Sequence, residues 1–219
     1  MTQDDLYAEK ADAYYAVVRS ELVALIPENT KRLLDVGCGA GATGRAAQLR
    51  LRLQELVGIE LFEPAATQAR AAYDRVIVGD IETLELDFPP KHFDCILCAD
   101  VLEHTKDPWS VLKILRQQLN DDGVLVASIP NIRHLGPLFK ILFDRFEYEE
   151  SGLLDKTHLH FFTMHTIRKM FQDTGFEIRH VKFTYSNSRK AQLLRVLSLG
   201  LLQPFLIYQF LLVVTKSPR

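Results

Sequence analysis

Three separated stretches carry residue types that could do chemistry together. The first is Asp35-Val36-Gly37-Cys38-Gly39-Ala40-Gly41, an acid followed by three alternating glycines. Glycine accepts left-handed backbone and puts no side chain between the main chain and a ligand, so this run is a turn on which a ligand can lie. Glu60 follows Gly41 by nineteen positions, the offset at which a carboxylate closing the next strand reaches ribose hydroxyls. The second stretch is Asp100-Val101-Leu102-Glu103-His104 and the third is His158-Leu159-His160. Imidazoles act as general bases near neutral pH, and with carboxylates they ligate hard or borderline cations. His104, His158 and His160 brought beside Asp100 and Glu103 would form a proton-transfer or metal site.

Gly39-x-Gly41-x-x-Gly44 has the glycine spacing of a dinucleotide site. Asp35 argues against that ligand, because a carboxylate two positions before the first glycine would repel a pyrophosphate on the loop. An adenosyl ligand bearing an ammonium and a sulfonium, as S-adenosylmethionine does, would be attracted instead. No Tyr-x-x-x-Lys or comparable hydride-transfer arrangement accompanies the glycines.

Alternating strands and helices must position these groups. The apolar patterning predicts strands over residues 32–36, 55–59, 75–78, 93–98 and 124–129, with helices over 42–51, 64–73 and 108–119 between them. Such alternation gives a doubly wound, mostly parallel sheet whose carboxyl edge collects the ligand-binding loops. A helix is expected over 6–26, stopping before Pro27, and a turn at Asp121-Asp122-Gly123. Residues 132–148 read as a helix with a mobile extension, and 149–160 as a charged, histidine-rich loop. Thr163 should cap a helix over 163–174 that stops at Gly175, followed by a strand over 176–185. Residues 196–214 carry no charge, a length that raises a membrane span. Gln203, Pro204 and Gln209 interrupt the run, which reads as a core helix, a turn at Pro204 and a final strand over 206–215.

The 219 residues, 47% apolar and 25% charged, suit one domain over 1–219. Its expected parts are an N-terminal helix (1–30), a cofactor-binding core (31–131), a lid and acceptor region (132–162), and C-terminal helices and strands (163–219). A net charge of −2 supplies no basic field for a nucleic acid. Cys38, Cys95 and Cys98 are too few and too oddly numbered for a disulfide framework. Cys95 and Cys98 lie three apart on one strand, so they face opposite sides and do not share a metal. The polar, acidic first ten residues are not a secretory signal, and a cytoplasmic location is expected.

The glycine run resembles motif I of the class I S-adenosylmethionine-dependent methyltransferases. Val57-Gly58-Ile59-Glu60 resembles their second-strand acidic motif, and Gly79-Asp80-Ile81-Glu82 their adenine-reading segment. The stretch from Phe93-Asp94 to His104 and the turn Asp122-Gly123-Val124-Leu125 complete the series in family order. The resemblance implies a seven-stranded Rossmann-like sheet of order 3-2-1-4-5-7-6, with strand 7 antiparallel and a lid insertion between strands 5 and 6. It implies cofactor contacts from Asp35, Gly37, Cys38, Gly39, Gly41, Glu60, Leu61, Asp80, Ile81, Ala99 and Asp100. Asp80 would accept the adenine amino group and Ile81 would pack on the ring.

Asp100-x-x-Glu103-His104 is similar to the Glu-x-x-Glu-His of ubiquinone-pathway O-methyltransferases and small-RNA 2′-O-methyltransferases, where it is associated with a divalent cation. That implies Mg²⁺ or Mn²⁺ held by Glu103, His104 and one of His158 or His160, with His158 the first choice. Residues 154–163 also resemble bacterial methyltransferases encoded with polysaccharide-assembly enzymes, so the implied acceptor is a sugar or small hydroxylated metabolite. The apolar residues 193–202 should form a helix that is partly exposed and meets a membrane surface, a lipid-linked acceptor or a second subunit. An NAD-dependent oxidoreductase, a catalytically silent partner subunit and an RNA 2′-O-methyltransferase stay open as alternatives.

Overall fold

The computed structural model describes residues 17–185 and 201–218. Seven strands form one sheet: β1 (Arg32–Val36), β2 (Glu55–Glu60), β3 (Arg75–Val78), β4 (Phe93–Ala99), β5 (Leu119–Pro130), β6 (Phe176–Tyr185) and β7 (Ile207–Lys216). Their order is β3-β2-β1-β4-β5-β7-β6. The first five pair in parallel, while β7 runs antiparallel to both β5 and β6. This is the Rossmann-like sheet implied above.

Covering helices explain why the central strands are apolar on both faces. Leu34, Ile96 and Cys98 belong to one buried cluster, and Leu33, Cys95 and Leu97 to the other. Cys95 and Cys98 therefore occupy opposite sides of the sheet, as the strand period of two requires. Asp35 is the one charged residue of β1 that the layers bury, at 1% exposure.

In chain order the helices are α1 (Ser20–Val23), α2 (Ala42–Arg50), α3 (Glu63–Ala69), α4 (Pro108–Gln118), α5 (Leu135–Leu142), α6 (Met164–Asp173) and α7 (Gln203–Leu206). Local chemistry sets several ends. Asp107 accepts from the Ser110 N–H at 3.1 Å ahead of α4, with proline in the first turn. Thr163 and Thr166 exchange reciprocal side-chain to backbone bonds at the start of α6.

Several boundaries differ from the sequence expectation. Within the described part of the predicted 6–26 helix, only Ser20–Val23 is helical. Residues 17–19 leave the helix to dock on α2, where the Arg19 N–H donates to Thr43 Oγ1 at 3.1 Å. Strand β5 begins at Leu119, and Asp121-Asp122-Gly123 forms a bulge inside it: pairing passes from Phe93 with Leu119 directly to Cys95 with Val124. The predicted 132–148 helix contracts to Leu135–Leu142, because His134 caps it through the Gly136 N–H and Asp144 turns left-handed at φ 55°. Pro204 sits in a four-residue helical turn that feeds β7.

Most of the predicted 193–202 helix lies outside the described residues, as do residues 6–16 of the first one. Among the described residues, no helix is long and apolar enough to cross a membrane.

Candidate active site

A cavity of about 400 Å³ opens at the carboxyl edge of β1, β2 and β4. Seven carboxylates line it, and among the described residues Arg19 is its one lysine or arginine. A wall so rich in negative charge suits a cationic ligand.

One half of the cavity is built by the glycine loop and the second strand. Gly39 and Gly41 take positive φ, 55° and 87°, which lets the chain leave β1 and enter α2 within a few residues. Glu60 Oε2 accepts the Gly39 N–H at 2.8 Å and Oε1 accepts the Phe62 N–H at 2.9 Å. Each carboxylate oxygen has a second lone pair, so Glu60 is oriented by the loop and can still receive ribose hydroxyls. Burial pushes its pKa up, and the backbone N–H bonds pull against that rise.

Asp80 Oδ1 accepts the Glu82 N–H at 2.9 Å, which folds residues 79–84 around the cavity rim. Leu61, Ile81 and Ala99 line the wall beside Gly37, Cys38 and Gly39. Gly41 lies behind the loop, with its Cα packed toward Ala69 and Tyr73. It shapes the turn and does not line the cavity.

Asp100 is held in a different way from that expected. Its backbone is left-handed at φ 54°, strained for a residue with a side chain. Ser128 Oγ receives the Asp100 N–H at 3.0 Å and donates to Oδ1 at 2.6 Å. Gln209 Nε2 also donates to Oδ1, and the Arg19 guanidinium pairs with Oδ2. The carboxylate is thereby committed to β5, β7 and the N-terminal segment, away from the Glu103–His104 pair.

The other half of the cavity is a buried cluster of Glu103, His104 and His158, one ligand atom of each lying within 4.8 Å of the others. Among the described residues, both buried Glu103 carboxylate oxygens lack a hydrogen-bond partner outside Glu103 itself. Burial raises its pKa to about 8; backbone bonding and Arg19 lower it, while Asp155 raises it further. His104 Nδ1 lies 3.1 Å from the Thr157 carbonyl oxygen. A carbonyl only accepts, so Nδ1 carries the proton and Nε2 is the basic nitrogen. The His104 and His158 rings meet edge to face at 4.7 Å.

His160 is placed elsewhere. Its Nε2 contacts the Lys106 carbonyl at 3.1 Å, its ring packs on Trp109 and Phe162, and it is absent from the cavity lining. The catalytic candidates that the fold brings together are therefore His104 and His158. Their spacing in sequence gave no indication that the second would enter and the first neighbour would not.

The histidine loop is anchored rather than loose. Leu153, Leu154, Asp155, Thr157 and His158 are buried. Glu103 O accepts the N–H groups of Leu159 and His160 at 2.8 and 3.0 Å. The charged, histidine-rich loop expected over 149–160 thus carries apolar anchors, Leu153 and Leu154, among its charges.

Sequence reading missed Arg19, Ser128, Tyr208 and Gln209, of which all but Ser128 line the cavity. Gln209 did leave a trace, as a polar break in an otherwise apolar strand. Arg19 left none, because it sat inside an apparent amphipathic helix.

A family described as a methyltransferase domain matches residues 7–181. The chain belongs to the class I S-adenosylmethionine-dependent methyltransferase family. The ubiquinone biosynthesis O-methyltransferase of Idiomarina loihiensis is 32% identical over 108 residues, 46% of this chain and 43% of that protein. The chain thus spans under half the length of this curated relative in the aligned stretch.

Two solved methyltransferases share the fold. One is the methyltransferase bound to the Haloferax volcanii Trm112 activator, with TM-score 0.70, 16% identity and coverage of 99% and 98% of the two chains. The other is the S-adenosylmethionine-dependent methyltransferase of Mesorhizobium loti, with TM-score 0.67, 19% identity and coverage of 95% and 99%. For this methyltransferase-family chain, the acidic cavity fits the cofactor that the family uses.

Proposed function

We propose that the chain methylates a hydroxyl oxygen of a small acceptor, a sugar or other hydroxylated metabolite, with S-adenosylmethionine as donor. The observation that carries this reading is one cavity with two chemistries: Asp35, Glu60 and Asp80 on one wall, and Glu103, His104 and His158 on the other. The names of the aligned O-methyltransferase relatives support an oxygen acceptor.

S-adenosylmethionine, when bound, supplies a methyl group already activated on a sulfonium. Glu60 receives the ribose hydroxyls, Asp80 the adenine amino group, and Ile81 packs on the ring. Asp35 faces the ammonium group, and Arg19 is the counter-ion for the cofactor carboxylate. His104 Nε2 takes the proton from the acceptor hydroxyl as the oxygen–methyl bond forms and the sulfur–methyl bond breaks. In place of that base role a cation would suit the Glu103 carboxylate: Glu103, His104 and His158 would hold Mg²⁺ or Mn²⁺, which would itself acidify a coordinated hydroxyl.

Residues 132–162 supply the acceptor side, with 139–151 as the part free to close. Leu201 is 82% exposed and α5 leaves Leu142 72% exposed, which supports apolar contact with a second subunit or a membrane surface. Sedimentation with and without lipid vesicles separates those two partners.

The deciding experiment pairs calorimetry with a labelled-methyl assay over glycans, phenols and RNA ends. Binding of S-adenosylhomocysteine without NAD binding, plus label in a hydroxylated small molecule, is expected. Preferential labelling of RNA would overturn the acceptor class, and binding of NAD instead would overturn the reading entirely.

A further inference from the structure

Tyr73 lies between α3 and β3, outside every motif discussed above, yet it touches the glycine loop from beneath. It is 7% exposed. Its hydroxyl donates to Asp35 Oδ2 at 2.5 Å and accepts the backbone N–H of Gly44 in the first turn of α2. The ring occupies the space that three glycines leave open. A Cβ on Gly44 would fall 2.0 Å from the Tyr73 hydroxyl oxygen. One on Gly58 would come 3.0 Å from Cδ1, and one on Gly41 3.1 Å from Cε2. Gly44 therefore has to be glycine for this ring to reach Asp35, while at Gly58 Cys38 Sγ, 2.7 Å from an added Cβ, crowds the position as well.

We propose that Tyr73 is a positioning residue for cofactor binding: its hydroxyl ties Asp35 to the N-terminal turn of α2 and keeps the carboxylate anionic and aimed at the cofactor's ammonium group. This rests on the assignment of Asp35 above. The physical need is plain. Asp35 has Glu60 of β2, Cys38 of the loop and, on its own face of the sheet, Cys95 of β4 as titratable neighbours besides Tyr73, none of which is a cation. Desolvation and the Glu60 charge push its pKa up to about 7, and the Tyr73 hydrogen bond is the opposing influence. The hydroxyl is itself polarised, because the Gly44 N–H that it accepts belongs to the positive end of a helix. Without the hydroxyl, Asp35 would hold its proton to higher pH, and a neutral carboxyl attracts an ammonium weakly.

The test is the pH profile of S-adenosylhomocysteine affinity for wild type and Tyr73→Phe, which keeps the ring and removes only the oxygen. Wild-type affinity should fall as pH drops below about 7. In Tyr73→Phe the midpoint should move up by about one pH unit, an affinity loss of about fivefold at pH 7 that approaches tenfold below it and narrows by pH 9. In an Asp35→Asn background both the pH dependence and the effect of Tyr73→Phe should vanish. Should Tyr73→Phe fold poorly, the ¹³C carboxyl resonance of Asp35 in the wild-type protein reads the same coupling. Its midpoint should lie near 7 without ligand and fall when S-adenosylhomocysteine saturates.

An unshifted profile in folded Tyr73→Phe, or a wild-type Asp35 midpoint that S-adenosylhomocysteine leaves unmoved, would overturn the proposal. Absence of any S-adenosylhomocysteine binding by the wild type would instead overturn the cofactor assignment.

Discussion

Glu60 and His104 divide the labour of the cavity between binding and chemistry, and single substitutions should separate them. Glu60→Ala removes a charged acceptor of the ribose hydroxyls and also frees the Gly39 N–H that it holds. Calorimetry should show cofactor binding weakened by about 1–3 kcal/mol; unchanged affinity would remove Glu60 from the ribose role. His104→Ala should leave that affinity within a few-fold of wild type. Turnover should fall by about 100-fold or more, the usual contribution of a positioned base. Prolonged chelation distinguishes the two uses of His104: activity lost to chelator and restored by Mg²⁺ or Mn²⁺ assigns it to a metal, while activity indifferent to chelator leaves it as the base. Asp35, Glu60 and Asp80, which line the cavity, were legible in the sequence because each lies at or near the carboxyl end of a strand beside a diagnostic neighbour. Ser128, Gln209 and Arg19 were not, because they meet Asp100 across separations of 28, 109 and 81 positions that no local pattern encodes.

At the scale of elements, the five parallel strands were legible because each is a short apolar run bounded by turn residues. The bulge in β5 was not, since Asp121-Asp122-Gly123 reads as a turn unless its strand partner is known. The segment between β5 and α6 was misjudged for a related reason. Its charges suggested an open loop, but Leu153 and Leu154 are buried, and bonds from Thr157, Leu159 and His160 tie the loop to the 3₁₀ turn at Leu102–His104. The exposed half is earlier, with Phe139, Phe143, Phe146 and Tyr148 all at or above 43% exposure. Hydrogen exchange should therefore split the segment. Amides over 139–151 should exchange fast and gain protection with S-adenosylhomocysteine and acceptor together, whereas amides of Leu159 and His160, bonded to Glu103 O, should be slow throughout. Uniform protection without ligand would remove 139–151 as a closing element.

For the whole molecule, an acidic cavity built to receive a cation should leave its mark on stability without one. Asp35 titrates near 7 when folded against 3.8 as its ordinary value, and Glu103 near 8 against 4.5. Between the ordinary and the folded values the native chain binds more protons than the unfolded one, so stability is present at low pH and is lost as pH rises through that window. Each such proton contributes a slope of up to about 1.4 kcal/mol per pH unit. His134 opposes this: burial lowers its pKa, so its contribution to stability grows as pH rises toward 6.5 and is complete above it. That ring is only half-buried and stands as one group against three, since burial raises Glu60 as well. With chelator present and no ligand, the melting temperature should therefore fall from pH 5 to pH 7.5. Saturating S-adenosylhomocysteine should flatten the decline, because its ammonium keeps Asp35 ionised and removes the excess native proton. A ligand-free melting temperature that is level or rising across that range would mean that Asp35 and Glu103 are already charged in the empty cavity, and that the site is held open by counter-charges other than those its ligands bring.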